Sequence, residues 1–262
     1  MDIDTSVPHP ARRYNYWLGG TDNFPADRES GDEFLRRFPG IRIGARANRA
    51  MLQRAVRFLA AERGIRQFLD IGTGLPTADN THEVAQRVTP SARVVYVDND
   101  PLVATQAQAL LTSTPSGRTT YLEADLRDPG TILAAAAETL DLSQPVAVML
   151  VAVLHFVPGD GAARPLITPL LDAVPSGSYL TVTHGTMDFS PPEMQADHAK
   201  MRAAGRSDVW PRDRAEFTAL FDGLTIEEPG VVPVSEWRPA DPAEPLPSRQ
   251  DVAMWGAVAR KN

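Results

Sequence analysis

Phe68-Leu-Asp-Ile-Gly-Thr-Gly-Leu-Pro76 is an apolar run that meets an acid at Asp70 and then opens into two glycines, Gly72 and Gly74. Strands buried in a parallel sheet are almost continuously apolar. A glycine turn at the carboxyl end of such a strand lets a ligand approach the backbone, at the point where strand order reverses in an open α/β sheet. Glycines there also serve close strand-to-helix packing. The D-x-G-x-G spacing alone therefore leaves open a phosphate, a cationic cofactor or no ligand.

Upstream, GARANRAMLQRAVRFLAAERG places Met51, Leu52, Ala55, Val56 and Leu59 on one helical face, with Gly64 suited to close the helix. Downstream, a helix pattern near 78–88 leads into ARVVYVDND, a branched and aromatic run, so strand, helix and strand form a crossover unit. Asp100 and Pro101 read as N-cap and first residue of the helix PLVATQAQALL, and Asp128 and Pro129 repeat the signal before GTILAAAAETL. RTTYLEADLRDP supplies a strand between those helices. PVAVMLVAVLHFVP suits a central strand covered on both faces. A helix over 166–173 and the strand SYLTVTHG continue the alternation, which predicts a doubly wound α/β sheet. EMQADHAKMRAAG and PRDRAEFTALFDG read as two further helices. GVVPVSEWRP and DVAMWGAVARK read as a final antiparallel pair joined by the proline-rich ADPAEPLPSRQ. Residues 1–43 fall outside the alternation and are expected to form an N-terminal helical extension, or lid, on one domain of residues 44–262.

A chain of 262 residues suffices for one large α/β core. Zero cysteines exclude disulfides, thiolate zinc sites and cysteine nucleophiles, and fit a reducing compartment. The start MDIDTSVPHP is acidic and proline-rich rather than basic then apolar, and no window reaches a membrane span, so a cytoplasmic location is expected. The net charge of −7 disfavours nucleic acid as a partner. HEVAQ carries Gln86 where H-E-x-x-H needs a second histidine, so no metal is expected, and no G-x-S-x-G elbow supports a hydrolase.

The acids at the strand ends form a constellation. Asp98 lies 28 residues after Asp70, and Asp125 lies 27 after Asp98. A carboxylate ending the second strand can accept from two ribose hydroxyls, and one after the third can accept from an adenine amine. Both NAD and S-adenosylmethionine offer an adenosine. Asp70 helps to choose, because an anion at the glycine turn repels a pyrophosphate and favours an ammonium group. The third glycine of G-x-G-x-x-G is also missing, since Thr77 stands there.

These residues resemble the class I S-adenosylmethionine-dependent methyltransferases. More narrowly, RRYNYWLGGTDNFPADRES, ARANRAMLQRAVRFL, QFLDIGTGLPTADNTHEVAQ, RVVYVDNDP, EADLRDP and VAVLHFVP resemble a bacterial S-adenosyl methyltransferase family also known as a domain of unknown function. The resemblance implies a Rossmann-like sheet of seven strands with a terminal antiparallel hairpin, and S-adenosyl-L-methionine as cofactor. It implies cofactor contacts at Asp70, Gly72, Gly74, Asp98, Asn99, Asp125, Leu126 and Ala152. Pro76 departs from the class, which often has a glycine there, and removes a backbone donor. Ala152 to His155 begin the loop where the class places acceptor-side residues, so His155 is the candidate general base or acceptor-positioning group. Arg46 and Asn48 are placed to reach the cofactor carboxylate. Tyr14, Tyr16, Trp17 and Phe24 crowd around Gly19 and Gly20, where aromatic rings could cover a sulfonium or stack on an acceptor. The expected activity is methyl transfer to a small-molecule acceptor. A non-catalytic S-adenosylmethionine-binding or regulatory protein stands second and an NAD-dependent oxidoreductase third.

Overall fold

The computed structural model describes residues 3–110, 113–241 and 243–262. Three helices open the chain: α1 (Pro10–Leu18), α2 (Pro25–Arg37) and α3 (Ile41–Ala61). Strands and helices then alternate as β1 (Gln67–Ile71), α4 (Thr81–Val88), β2 (Arg93–Asp98), α5 (Pro101–Leu110), β3 (Arg118–Glu123), α6 (Pro129–Ala136), β4 (Ala147–Val151), α7 (Arg164–Asp172) and β5 (Tyr179–Gly185). The last third holds α8 (Pro192–Ala203), α9 (Arg214–Ala219), β6 (Leu224–Ile226), β7 (Val232–Pro233), α10 (Arg249–Val252) and β8 (Met254–Lys261). Leu111, the last residue of the helix expected after Pro101, lies outside the described residues.

The sheet order is β3-β2-β1-β4-β5-β8-β6, with β7 also paired to β8. Strands β1 to β5 run parallel, and β8 lies antiparallel between β5 and β6. Order reverses between β1 and β4, and a ligand crevice is expected beyond their carboxyl ends. The near-continuous apolar character of the central strands reflects burial on both faces. Leu69, Ile71, Val95, Val97, Val148 and Leu150 pack against α6, α7 and α9, whereas Phe68, Val94, Tyr96, Ala147 and Met149 pack against α3 and α4. That division is the period of two of a strand serving two cores at once.

The local signals explain the boundaries. Asn80 and Glu83 form a capping box that starts α4 at Thr81, later than the expected 78, and Asp128 caps α6 through the Thr131 amide. The terminal hairpin differs from the expected one. GVVPVSEWRP contributes only Val232–Pro233, because Pro233 has no N–H to extend a ladder. The edge partner of β8 is instead β6, in residues that the sequence pattern left unassigned. Asp251 and Val252, expected in the last strand, close α10, and Ala253 at φ 47° turns the chain into β8. The two-residue β7 makes eight strands where seven were expected. Helix α3 runs through the expected 43/44 boundary.

Candidate active site

A cavity of about 540 Å³ opens at the β1/β4 switch point. Its floor begins with the turn after β1, where Gly72 and Gly74 adopt φ of 74° and 69°, a left-handed conformation that costs a side-chain-bearing residue about 1–2 kcal/mol. A Cβ on Gly72 would stand 2.5 Å from the Val153 side chain, so the loops after β1 and β4 meet there. Ala152 holds the left-handed region at φ 56° without being glycine; its amide is fixed by the Thr183 carbonyl at 3.2 Å and Oγ1 at 2.9 Å.

Asp70 is buried at this turn, and one of its oxygens accepts from Thr81 Oγ1 at 2.6 Å. Burial pushes its carboxyl up to about 6, against that hydrogen bond and the charge of Arg49. Asp98 ends β2 with each oxygen taking one backbone donor: Gly74 N–H to Oδ2 at 2.8 Å and Asp100 N–H to Oδ1 at 3.0 Å. Burial raises its pKa as well. Asp125 is differently placed. Arg127 Nε and backbone N–H reach its Oδ1 at 2.8 Å, while Arg127 Nη2 at 2.5 Å and Asn99 Nδ2 at 3.3 Å reach Oδ2. The Arg127 guanidinium holds this carboxyl down at about 2. Leu126, buried, and Asn99, exposed, complete this end of the cavity.

His155 lies on a single 3-10 turn, Leu154–Phe156, and faces the other end. Gly185 N–H donates to its Nδ1 at 3.4 Å, which leaves the proton of a neutral ring on Nε2. Burial, with Arg13 and Arg212 adding to it, pushes the imidazole down to about 3. His155 is thus a neutral donor near pH 7, and the low basicity weighs against the general-base alternative. His184 is fixed within the fold: its Nδ1 donates to the Gly185 carbonyl at 2.8 Å, and its Nε2 accepts from Arg212 at 2.8 Å.

The roof comes from the N-terminal helices. Pro10, Arg13, Tyr14 and Trp17 of α1 line the cavity at the spacing of one helical face. Tyr16 falls off that face. It donates to Asp32 at 2.7 Å and lies 5.3 Å from the Arg42 guanidinium, outside the cavity lining. Phe24 packs at a satellite cluster with Leu75, Leu102 and Val103. On α3 the cavity-facing residues are Ile41, Ala45, Asn48, Arg49 and Leu52, while Arg46 is exposed. Counting back from Leu52 in steps of four and three reaches Asn48 and Ala45, so the phase of the apolar face already separates them from Arg46. Arg13 and Arg49 are the two arginines among the lining residues that the amino-acid pattern did not single out, beside the aromatic wall of Phe34 and Phe38.

The family profile described as S-adenosyl methyltransferase matches residues 1–262. The chain belongs to this S-adenosyl methyltransferase family. A DUF574 family protein from Streptomyces avermitilis MA-4680 is 48% identical, with a TM-score of 0.91 and 100% of each chain covered. A protein from Thermobifida fusca YX is 42% identical, with a TM-score of 0.88, covering 99% of this chain and 97% of its own. A comparison with curated proteins found no match. For this S-adenosyl methyltransferase family member the adenosine cofactor is S-adenosylmethionine rather than NAD, and the activity is methyl transfer. Among the described residues, no helix is long and apolar enough to cross a membrane.

Proposed function

We propose that this S-adenosyl methyltransferase holds S-adenosylmethionine along the ends of β1, β2 and β3 and methylates a small molecule enclosed beneath α1 and α2. The observation that carries the proposal is the continuity of one cavity from Asp70 and Asp98 to His155 and Trp17. At about 540 Å³ it falls among pockets that bury small ligands, about 300–1,000 Å³.

The residues fit the cofactor. Each Asp98 oxygen has one lone pair engaged by the backbone and one left, which suits a pair of vicinal ribose hydroxyls. Asp70 keeps one oxygen without a hydrogen bond among the described residues, near Gly72 and Gly74 and suited to the ammonium end. All four acceptor positions of Asp125 are engaged, so an adenine amine would displace Arg127, whose side chain is 74% exposed and can move into water. The bound cofactor supplies an electrophilic methyl group on a sulfonium centre. The chain binds, orients and excludes water, and these are the contributions that matter most for an in-line displacement. His155 directs Nε2–H toward the acceptor end as a positioning donor.

Calorimetry with S-adenosylhomocysteine tests the cofactor half of this reading. Binding is expected for the wild type and about tenfold or more weaker for Asp98→Ala, from loss of hydrogen bonds to a charged group worth about 1.5–3 kcal/mol. Wild-type affinity in a folded Asp98→Ala protein would remove Asp98 from the site. Turnover against a metabolite library tests the acceptor half, and methylation of peptide or nucleic acid alone would refute it.

A further inference from the structure

Resting on the methyltransferase reading of this cavity, we propose that its acceptor end takes a planar aromatic small molecule bearing an oxyanion, a carboxylate or a phenolate, with Arg13 as the residue that holds the oxyanion. Arg13 lines the cavity one turn before Trp17, and its side chain is only 7% exposed. The guanidinium carries five N–H donors in a planar fork matched to a carboxylate. Its Nη1 donates to Ser30 Oγ at 3.2 Å and its Nη2 to Asp208, while Nε has no partner among the described residues. Asp208 sits 49% exposed on the segment between α8 and α9. The fork is therefore held by a half-exposed carboxylate, and an acceptor oxyanion can replace it.

The walls supply the aromatic preference. Trp17 and Phe34 have ring centroids 5.2 Å apart, Phe34 and Phe38 4.9 Å, and Phe38 and His198 6.1 Å, and all four rings line the cavity. Such a ladder offers a flat ring both edge and face contacts. Arg13 and His155 both line the cavity, and the charge of Arg13 adds to the burial that keeps His155 neutral. An acceptor bound as an anion needs no base from the chain. One bond forms, from the acceptor oxygen to the methyl carbon; one breaks, from sulfur to that carbon, with its electron pair kept on sulfur. No proton moves, in accord with a histidine of low basicity.

The test is calorimetry on the full chain saturated with S-adenosylhomocysteine, titrated with 2-naphthoate, 2-naphthol and 2-naphthamide, so that cofactor binding is scored separately from acceptor binding. The naphthoate arm reports a carboxylate and the naphthol arm, with pH raised toward its ionisation, a phenolate. At least one oxyanion is expected to bind tenfold or more tightly than the amide. Arg13→Gln should abolish that preference, and Arg13→Lys should restore part of it. Asp208→Asn separates ligand holding from helix fastening. It frees the fork and should tighten oxyanion binding, whereas a purely structural Arg13–Asp208 tie would make Asp208→Asn and Arg13→Gln equally harmful. Equal binding of amide and oxyanions, no binding of any probe, or an unchanged preference in Arg13→Gln would each overturn the proposal. Failure of S-adenosylhomocysteine itself to bind would instead refute the underlying placement of the cofactor.

Discussion

Arg12 and Asp100 form a two-bond ion pair where the N-terminal helices meet the sheet: Nε reaches Oδ2 at 2.9 Å and Nη2 reaches Oδ1 at 2.8 Å, with the side chains 5% and 0% exposed. His9 Nδ1 stands 3.1 Å from the same carboxylate. Asp100 also accepts from the Leu102 amide and donates its own amide to Asp98, so the pair that fastens the roof also borders the floor.

Removing Arg12 leaves the buried Asp100 carboxylate with His9 and the Leu102 amide for partners, at a cost of up to about 3–5 kcal/mol. Arg12→Ala is expected to lower unfolding stability by that amount in urea, and the double variant Arg12→Ala/Asp100→Asn to recover part of it. Deletion of residues 1–26 should cost more than Arg12→Ala, since it also removes the packing of Trp17 and Phe24. A truncated protein as stable as the whole chain would show that the roof is an appendage rather than part of the fold.

Gly72 and Gly74 share a left-handed backbone but differ in what surrounds them. Gly74→Ala meets open space, so it should cost about 1–2 kcal/mol of stability and keep the amide bond to Asp98. Gly72→Ala adds a collision with Val153 to the same strain and should cost about 1–3 kcal/mol more. Thermal unfolding of the two variants side by side checks the order, and equal losses would mean that the loop after β4 yields freely.

The raised pKa of Asp70 sets a pH window. Its carboxyl titrates near 3.8 when unfolded and at about 6 when folded, so the native state holds the extra proton between those values. The contribution of Asp70 to stability is therefore present below about pH 4 and lost as pH rises through about 6. Asp70→Asn should gain stability over the wild type across that interval. Binding of an ammonium group needs the ionised form. Wild-type affinity for S-adenosylhomocysteine should consequently rise about tenfold from pH 5 to pH 7, whereas that of Asp70→Asn should stay flat. Parallel pH profiles for the two proteins would place the ammonium elsewhere.

His155 acts in the opposite direction. Its folded pKa of about 3 lies below the unfolded 6.5, so the stability of the neutral buried ring is present above about pH 6.5 and declines as pH falls toward 3. The wild type should lose stability relative to His155→Gln on acidification from pH 7 to pH 5, when both are unfolded in urea. A constant difference over that range would mean that the ring protonates in place without penalty.

Much of this molecule is legible in short-range pattern. The positions of Asp70 and Asp98 at the ends of their strands and of Asp125 two residues past the third, the two glycines of the first turn and the caps at Asn80 and Asp128 follow from backbone chemistry acting over a few residues. Helical phase also separates Asn48 and Trp17 from Arg46 and Tyr16, once the apolar face is extended in steps of three and four. Tertiary structure decided the rest. Arg12 and Asp100 are 88 residues apart, and Arg13 and Asp208 are 195 apart. Arg12, Arg13 and Asp208 look like any surface charge in their local context and Asp100 like a helix cap, and only the docking of α1 against the sheet and against the segment after α8 removes water and makes them pairs. Asp125 is divided: three of its acceptor positions are filled by Arg127 two residues on and the fourth by Asn99 across the sheet, whereas His155 is decided by the fold. A histidine side chain carries no mark of its tautomer or basicity; the Gly185 amide assigns the first, and burial, with the charges of Arg13 and Arg212 adding to it, lowers the second.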